Sequence, residues 1–264
     1  MTDAWEGHEG TVSIRSRTIT NLHFADDIDS LAGEEEELAK FVEHLNRAST
    51  VSRFEISAEK TKLMTNNTSG INTEMNVNGQ KLETVTSFKY LGSVISDEGS
   101  KPEILSRTAQ TTAASTRLNQ FGVTGVFLSV PRYDWCAPLS ILYACESWTL
   151  TAELQTRILA MEMRCYRKVL GFLYTDHITN EEVHAKIQQA IDPHEDLLTM
   201  VKRRKLQWYG HVSRSSSLAR TILQGTVKGG RRQSRQKKRW EDSTREWTDL
   251  EFAKSQRAVE NREK

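Results

Sequence analysis

Cysteine is scarce: only Cys136, Cys145 and Cys165 occur among 264 residues. An odd number of widely spaced thiols excludes a disulfide framework, and their apolar or helical surroundings predict reduced core thiols. No CxxC or HxxxH spacing occurs, so His177, His184 and His194 with Cys165 do not form the ligand pattern of a zinc finger. No apolar run approaches the roughly 20 residues that a membrane-spanning helix needs. The opening stretch MTDAWEGHEG is polar and acidic, unlike a secretory leader. An intracellular address with no membrane partner is expected. Internal repeats are also absent. Hydrophobic residues make up 37% of the chain, enough for a core in one large or two modest domains.

Charge is where the chain departs from the ordinary. The net charge of +1 conceals a split: residues 201 to 264 carry 18 basic and 7 acidic side chains, whereas residues 1 to 200 carry 18 basic and 28 acidic. The C-terminal part therefore stands at +11 and the body at −10. A basic segment on an intracellular protein predicts a polyanionic partner, nucleic acid first. Its densest part, KGGRRQSRQKKRW, holds seven basic residues in thirteen. Upstream, Lys202 to Lys205 precede Trp208 and Tyr209. Cations that neutralise phosphates, interleaved with rings that stack on bases, make a nucleic-acid surface. A solvated tail or a nuclear import signal is the competing reading.

The stretch TITNLHFADDIDSLAGEEEELAKFVEHL, residues 18 to 45, raises a chemical question. Leu22 and Phe24 alternate with Asn21 and His23 as in a half-buried strand, and Ile28 resumes the pattern after Asp26 and Asp27. The adjacent carboxylates thus fall at a tight strand-to-strand turn. From residue 34 the period becomes helical, with Leu38, Phe41, Val42 and Leu45 on one face and Glu34 to Glu37 at the end where the helix dipole favours negative charge. An Asp-Asp pair is most often a solvated turn. Carboxylates clustered at a strand turn also hold paired divalent cations roughly 4 Å apart in nucleotidyl transfer.

Further on, RFEIS and KLMTN read as short strands around a turn at Ala58 to Lys60, and Asn78-Gly79 as a hairpin turn. SFKYLGSVIS reads as a strand broken at Gly92. Residues 102 to 119 form a polar helix. Residues 151 to 170 form a strong one, with Leu154, Ile158, Met161 and Cys165 on a stripe and Thr151 as its cap. Helices are also expected over 180 to 190 and 195 to 212, parted by Asp192 and Pro193. The Ser-, Gly-, Gln-, Lys- and Arg-rich segment from Ser213 to about 239 is expected to be flexible unless bound. The fold class is α+β.

FADD with its flanks resembles the (Y/F)xDD signature of reverse transcriptases, and in particular the non-LTR, LINE-like retrotransposon enzymes. The likeness extends in order through ISAEKTKLM at 56 to 64, SFKYLGSVISDEGS at 87 to 100, YACESWTLTAELQTRILAMEMRCYRKVLG at 143 to 171, RRKLQWYGHVSRS and KGGRRQSRQKKRWED. It implies three parts: a partial palm over 1–100, a helical thumb-like region over 101–212, and a basic tail with a short helix over 213–264. The implied chemistry is RNA-directed DNA synthesis with Mg2+ or Mn2+, on an RNA template and a DNA primer, in the nucleus.

In that resemblance Asp26 and Asp27 are catalytic, metal-binding carboxylates. Lys60 lies near the departing pyrophosphate as a general acid or neutralising cation, or is an ordinary turn lysine; the family's Asn is Ser57 here. Phe88, Tyr90, Leu91 and Gly92 belong to a hairpin that grips the primer. Phe88 reads as core, and Tyr90 as either core or primer contact. Trp208, Arg231, Arg232, Arg235, Lys237, Lys238 and Arg239 are candidates for holding nucleic acid. The resemblance also implies fingers and a third carboxylate on an earlier strand, for which the 23 residues before Phe24 leave no room. The expectation is a chain inactive as a polymerase by itself, with the absent half a possible partner in trans. Residues 121 to 142 depart from the family pattern and read as an altered junction.

Overall fold

The computed structural model describes residues 10–14, 17–65, 74–120, 140–190, 195–225 and 238–250, with residues 254 and 257. Cys136, His194, Arg231, Arg232, Arg235, Lys237 and most of the junction at 121 to 142 lie outside the described residues. The architecture is α+β, as the alternation of patterns predicts. Two compact units divide it: the described parts of Met1–Phe88 with Ser215–Arg235, and those of Lys89–Arg214 with Gln236–Lys264. Among the described residues no helix is long and apolar enough to cross a membrane.

In the first unit, β1 (Ser13–Ile14) pairs antiparallel with β2 (Arg17–Thr18), and β3 (Asn21–Phe24) with β4 (Asp27–Ser30). Helix α1 (Glu35–Val51) follows its acidic leader as the dipole argument predicts. Glu37 reaches back, its carboxylate accepting the Thr11 N–H at 2.7 Å and the Gly33 N–H at 3.1 Å. Leu38 and Val42 pack on a small core of Leu63, Met75, Val77 and Leu82. This core is assembled by β5 (Lys62–Leu63), β6 (Asn76–Val77), β7 (Gln80–Lys81) and β8 (Glu83–Thr84). β6 and β7 close over Asn78 and Gly79 at φ 52° and 77°, the left-handed pair that a two-residue hairpin requires. β5 runs parallel to β8.

One expectation fails here: residues 53–57 form no strand. The Phe54 N–H donates to the Ser49 carbonyl at 2.8 Å, so the segment completes the end of α1 instead of entering a ladder.

The strand β9 (Ser87–Tyr90), whose last two residues open the second unit, pairs with β10 (Ser93–Ser96). What reads in sequence as one strand interrupted at Gly92 is a hairpin turning on Leu91 and Gly92, at φ 45° and 82°. Helix α2 (Lys101–Gln120) has Pro102 in its first turn, where the missing N–H is not needed. Thr151 caps α3 (Ala152–Val169), its hydroxyl accepting the Leu154 N–H at 3.3 Å. The predicted stripe Leu154, Ile158, Met161 and Cys165 is buried against Ile104, Ile141, Trp148 and Leu150. Helix α4 (Asn180–Ala190) places Val183 and Ile187 on Met163 and Tyr166, and α5 (Leu197–Arg214) completes the main core with Leu197 and Val201.

Helix α6 (Leu218–Gln224), which belongs to the first unit, occupies part of the segment expected to be flexible. Ser217 caps it, accepting the Arg220 N–H at 3.4 Å. Helix α7 (Trp240–Thr248) returns to the second unit, matching the short helix expected in the tail.

Candidate nucleic-acid interface

The register of β3 and β4 places Phe24 opposite Asp27 and Leu22 opposite Asp29, leaving Ala25 and Asp26 as a two-residue turn with Ala25 at φ 54°. Asp26 and Asp27 are both exposed, and Phe24 beside them is 64% exposed. Sequence reasoning did not single out Asp29, although the strand period puts it on the same face as Asp27. Its carboxyl is pushed above the ordinary range by partial burial and then by the Asp27 charge. The hairpin thus concentrates negative charge at its tip. Among the described residues no group of three His, Cys, Asp or Glu side chains is arranged to hold a metal ion. Two adjacent exposed carboxylates do not fit the two-ion site that the resemblance implies.

Lys60 sits exposed on the turn at Ala58 to Lys60, as the sequence predicts. No ion pair joins it to Asp26 or Asp27 among the described residues.

The β9–β10 hairpin is held from within its own unit. Glu103 and Arg107, one turn apart on α2, form a buried ion pair at 2.7 Å. The second oxygen of Glu103 accepts the Val94 N–H at 2.7 Å, while Arg107 donates to the Gly92 carbonyl. The Arg107 guanidinium lies 4.6 Å from the centroid of the Tyr143 ring, and the Tyr143 hydroxyl donates to the Leu91 carbonyl. Tyr90 and Phe88 share one half-buried face, and Gly92 is exposed. The i, i+4 spacing of Glu103 and Arg107 on α2 is one that lets helix side chains pair. The burial of the pair comes from the β9–β10 turn, which no local pattern specifies.

On the C-terminal part, the aromatic and basic residues are partly engaged with one another. The Trp208 and Trp240 rings meet edge to face at 5.4 Å, and the Trp240 indole N–H donates to the Glu146 carbonyl at 2.8 Å. Lys205 is fully buried: its ammonium donates to the Trp148 carbonyl at 2.6 Å and lies 4.3 Å from the Trp240 ring centroid. Burial first, then the Lys238 charge, pulls its pKa down to about 7. Arg203 pairs with Glu195 at 2.8 Å, Lys238 with Glu246, and Arg239 with Glu241 at 3.3 Å. Lys238 and Arg239 therefore reach the start of α7 already matched by its acidic residues.

The chain is 27% identical over 207 residues, 76% of its length and 74% of the other's, to an uncharacterized transposon-derived protein of Caenorhabditis elegans. A transposable-element origin is thereby supported. No protein-family model matches the chain, and no solved structure does.

Proposed function

We propose that this transposon-derived chain carries the second half of a reverse-transcriptase palm and a thumb-like helical region, and that by itself it binds nucleic acid without polymerising it. The observation carrying the reading is the strand–turn–strand hairpin with Asp26 and Asp27 at its tip, followed by the other family motifs in order. The transposon-derived relative supports the origin. The charge split supports the binding, because a +11 segment releases condensed counterions when it meets phosphates.

RNA template and DNA primer are the partners this reading implies. Nuclear residence follows from the same reading. Asp26, Asp27 and Lys60 mark the ancestral reaction centre. Tyr90, Gly92, Trp208 and the cations from Arg231 to Arg239 are the binding candidates.

Two assays on the purified chain test it. In primer extension with Mg2+ or Mn2+, labelled nucleotide is expected to stay at the level of a boiled control. Incorporation that Asp26→Asn abolishes would show the chain to be a polymerase. In fluorescence anisotropy, labelled RNA and DNA oligonucleotides are expected to bind with little sequence preference, and an absence of binding at low salt would refute the reading.

A further inference from the structure

Tyr143 is exposed where its neighbours are not. Ile141 and Leu142 before it are 0% and 5% exposed, Cys145 after it is 0%, yet Tyr143 is 47% exposed. An exposed tyrosine ordinarily samples several rotamers, whereas this ring is held at its hydroxyl by Leu91 and has the Arg107 guanidinium against it. The support is costly. Arg107 and Glu103 are 8% and 4% exposed, and a buried ion pair rarely repays its desolvation compared with apolar residues. Leu91 sits in the left-handed region at φ 45°, a conformation that costs a non-glycine residue about 1 kcal/mol or more, and it is itself 39% exposed. At Gly92 a Cβ would lie 3.4 Å from the Tyr143 hydroxyl oxygen, so the turn approaches the ring closely. A need for packing alone is met by burying the ring. Here strain and buried charge fix a ring that remains open to solvent.

We propose that Tyr143 is a stacking platform for an unpaired base of a nucleic-acid strand, and that Glu103 and Arg107 are positioning residues for it. The proposal rests on the nucleic-acid-binding reading above and adds a contact distinct from the basic segment. A fixed aromatic face suits a base because stacking tolerates every sequence and needs no donor or acceptor match. Holding the ring in advance removes the ordering cost that a mobile side chain carries into binding. Lys89, exposed on the strand that leads into the turn, forms no ion pair among the described residues.

The test uses the full 264-residue chain and a short single-stranded oligothymidylate with one thymine replaced by 5-iodouracil. Irradiation at long wavelength followed by peptide mapping is expected to place the crosslink on Tyr143. In anisotropy titrations Tyr143→Leu is expected to weaken binding about 5- to 150-fold with the salt dependence unchanged. Tyr143→Phe retains the ring and is expected to keep most of the affinity. Crosslinks that map elsewhere, or a Tyr143→Leu chain that melts earlier yet binds as before, overturn the proposal and leave Tyr143 as a pin for the turn. Because the crosslink is read on the unaltered chain, a variant that fails to fold does not protect the idea. Binding that persists with its salt slope but without dependence on Tyr143 removes this inference alone. A chain that binds no oligonucleotide removes the parent reading as well.

Discussion

Lys205 offers the sharpest test of the core of the second unit. Its ammonium is buried, donating to the Trp148 carbonyl, with the Trp240 and Trp247 rings at 4.3 and 5.6 Å. The fall from 10.5 to about 7 means that the folded chain prefers the neutral amine. Between pH 7 and 10.5 the unfolded chain therefore binds the extra proton, and stability rises with pH, at up to about 1.4 kcal/mol per pH unit. Over the full shift this amounts to roughly 5 kcal/mol, fully absent below pH 7 and fully present above 10.5.

Cys145 works the other way. Its thiol is raised from 9.0 to about 12 by burial and the Glu146 charge, so the unfolded chain loses that proton first and stability falls with pH above 9. The clean window is pH 7 to 9, where Lys205 contributes roughly 3 kcal/mol. Urea unfolding followed by tryptophan fluorescence reads it, since Trp148, Trp240 and Trp247 surround the amine. Lys205→Met is expected to lose this slope while keeping the volume of the side chain. Equal slopes in the two proteins across pH 7 to 9 would refute the assignment of a buried, near-neutral lysine.

Glu162, 4% exposed, accepts the Tyr166 hydroxyl and the Leu197 N–H at 2.7 Å, and its other oxygen has no hydrogen-bond partner among the described residues. Burial raises its pKa above 4.5 despite those bonds and His184, with Asp196 adding to the rise. Its contribution is thus present below pH 4.5 and lost as pH rises through the folded value, and Glu162→Gln should flatten that decline in acid-range thermal melts. Glu103→Gln leaves Arg107 buried without its countercharge and should cost about 3 to 5 kcal/mol in urea unfolding, whereas a loss under 1 kcal/mol would mean that water reaches the pair. For the basic segment, four to six phosphate contacts predict an affinity loss on the order of 10²- to 10³-fold between 50 and 200 mM salt. Neutralising Arg231, Arg232, Lys237 and Lys238 together should flatten that slope, and an unchanged slope would move the interface elsewhere.

What the sequence determined by itself is local. The Thr151 cap, the Asn78-Gly79 turn, the buried stripe of α3, the acidic start of α1 and a tight turn beside Asp26, displaced by one residue to Ala25-Asp26 so that Asp27 opens β4, all follow from backbone preferences and side-chain period, which act over a few residues. Ser217 and α6 were legible in the same terms and were obscured by the polar composition around them. Only the tertiary structure decided which charges are buried and which rings are exposed. Lys202 and Lys205 stand in one basic run, yet only Lys205 is sealed, by Trp148 and by Trp240 and Trp247 of a helix that begins 35 residues later. Glu103 and Arg107 lie on the helix whose composition reads as polar, yet the β9–β10 turn closes over them, and the Tyr143 ring emerges beside that turn between buried neighbours. Burial depends on what covers a residue, and the covering segments come from distant parts of the chain whose approach no local preference specifies.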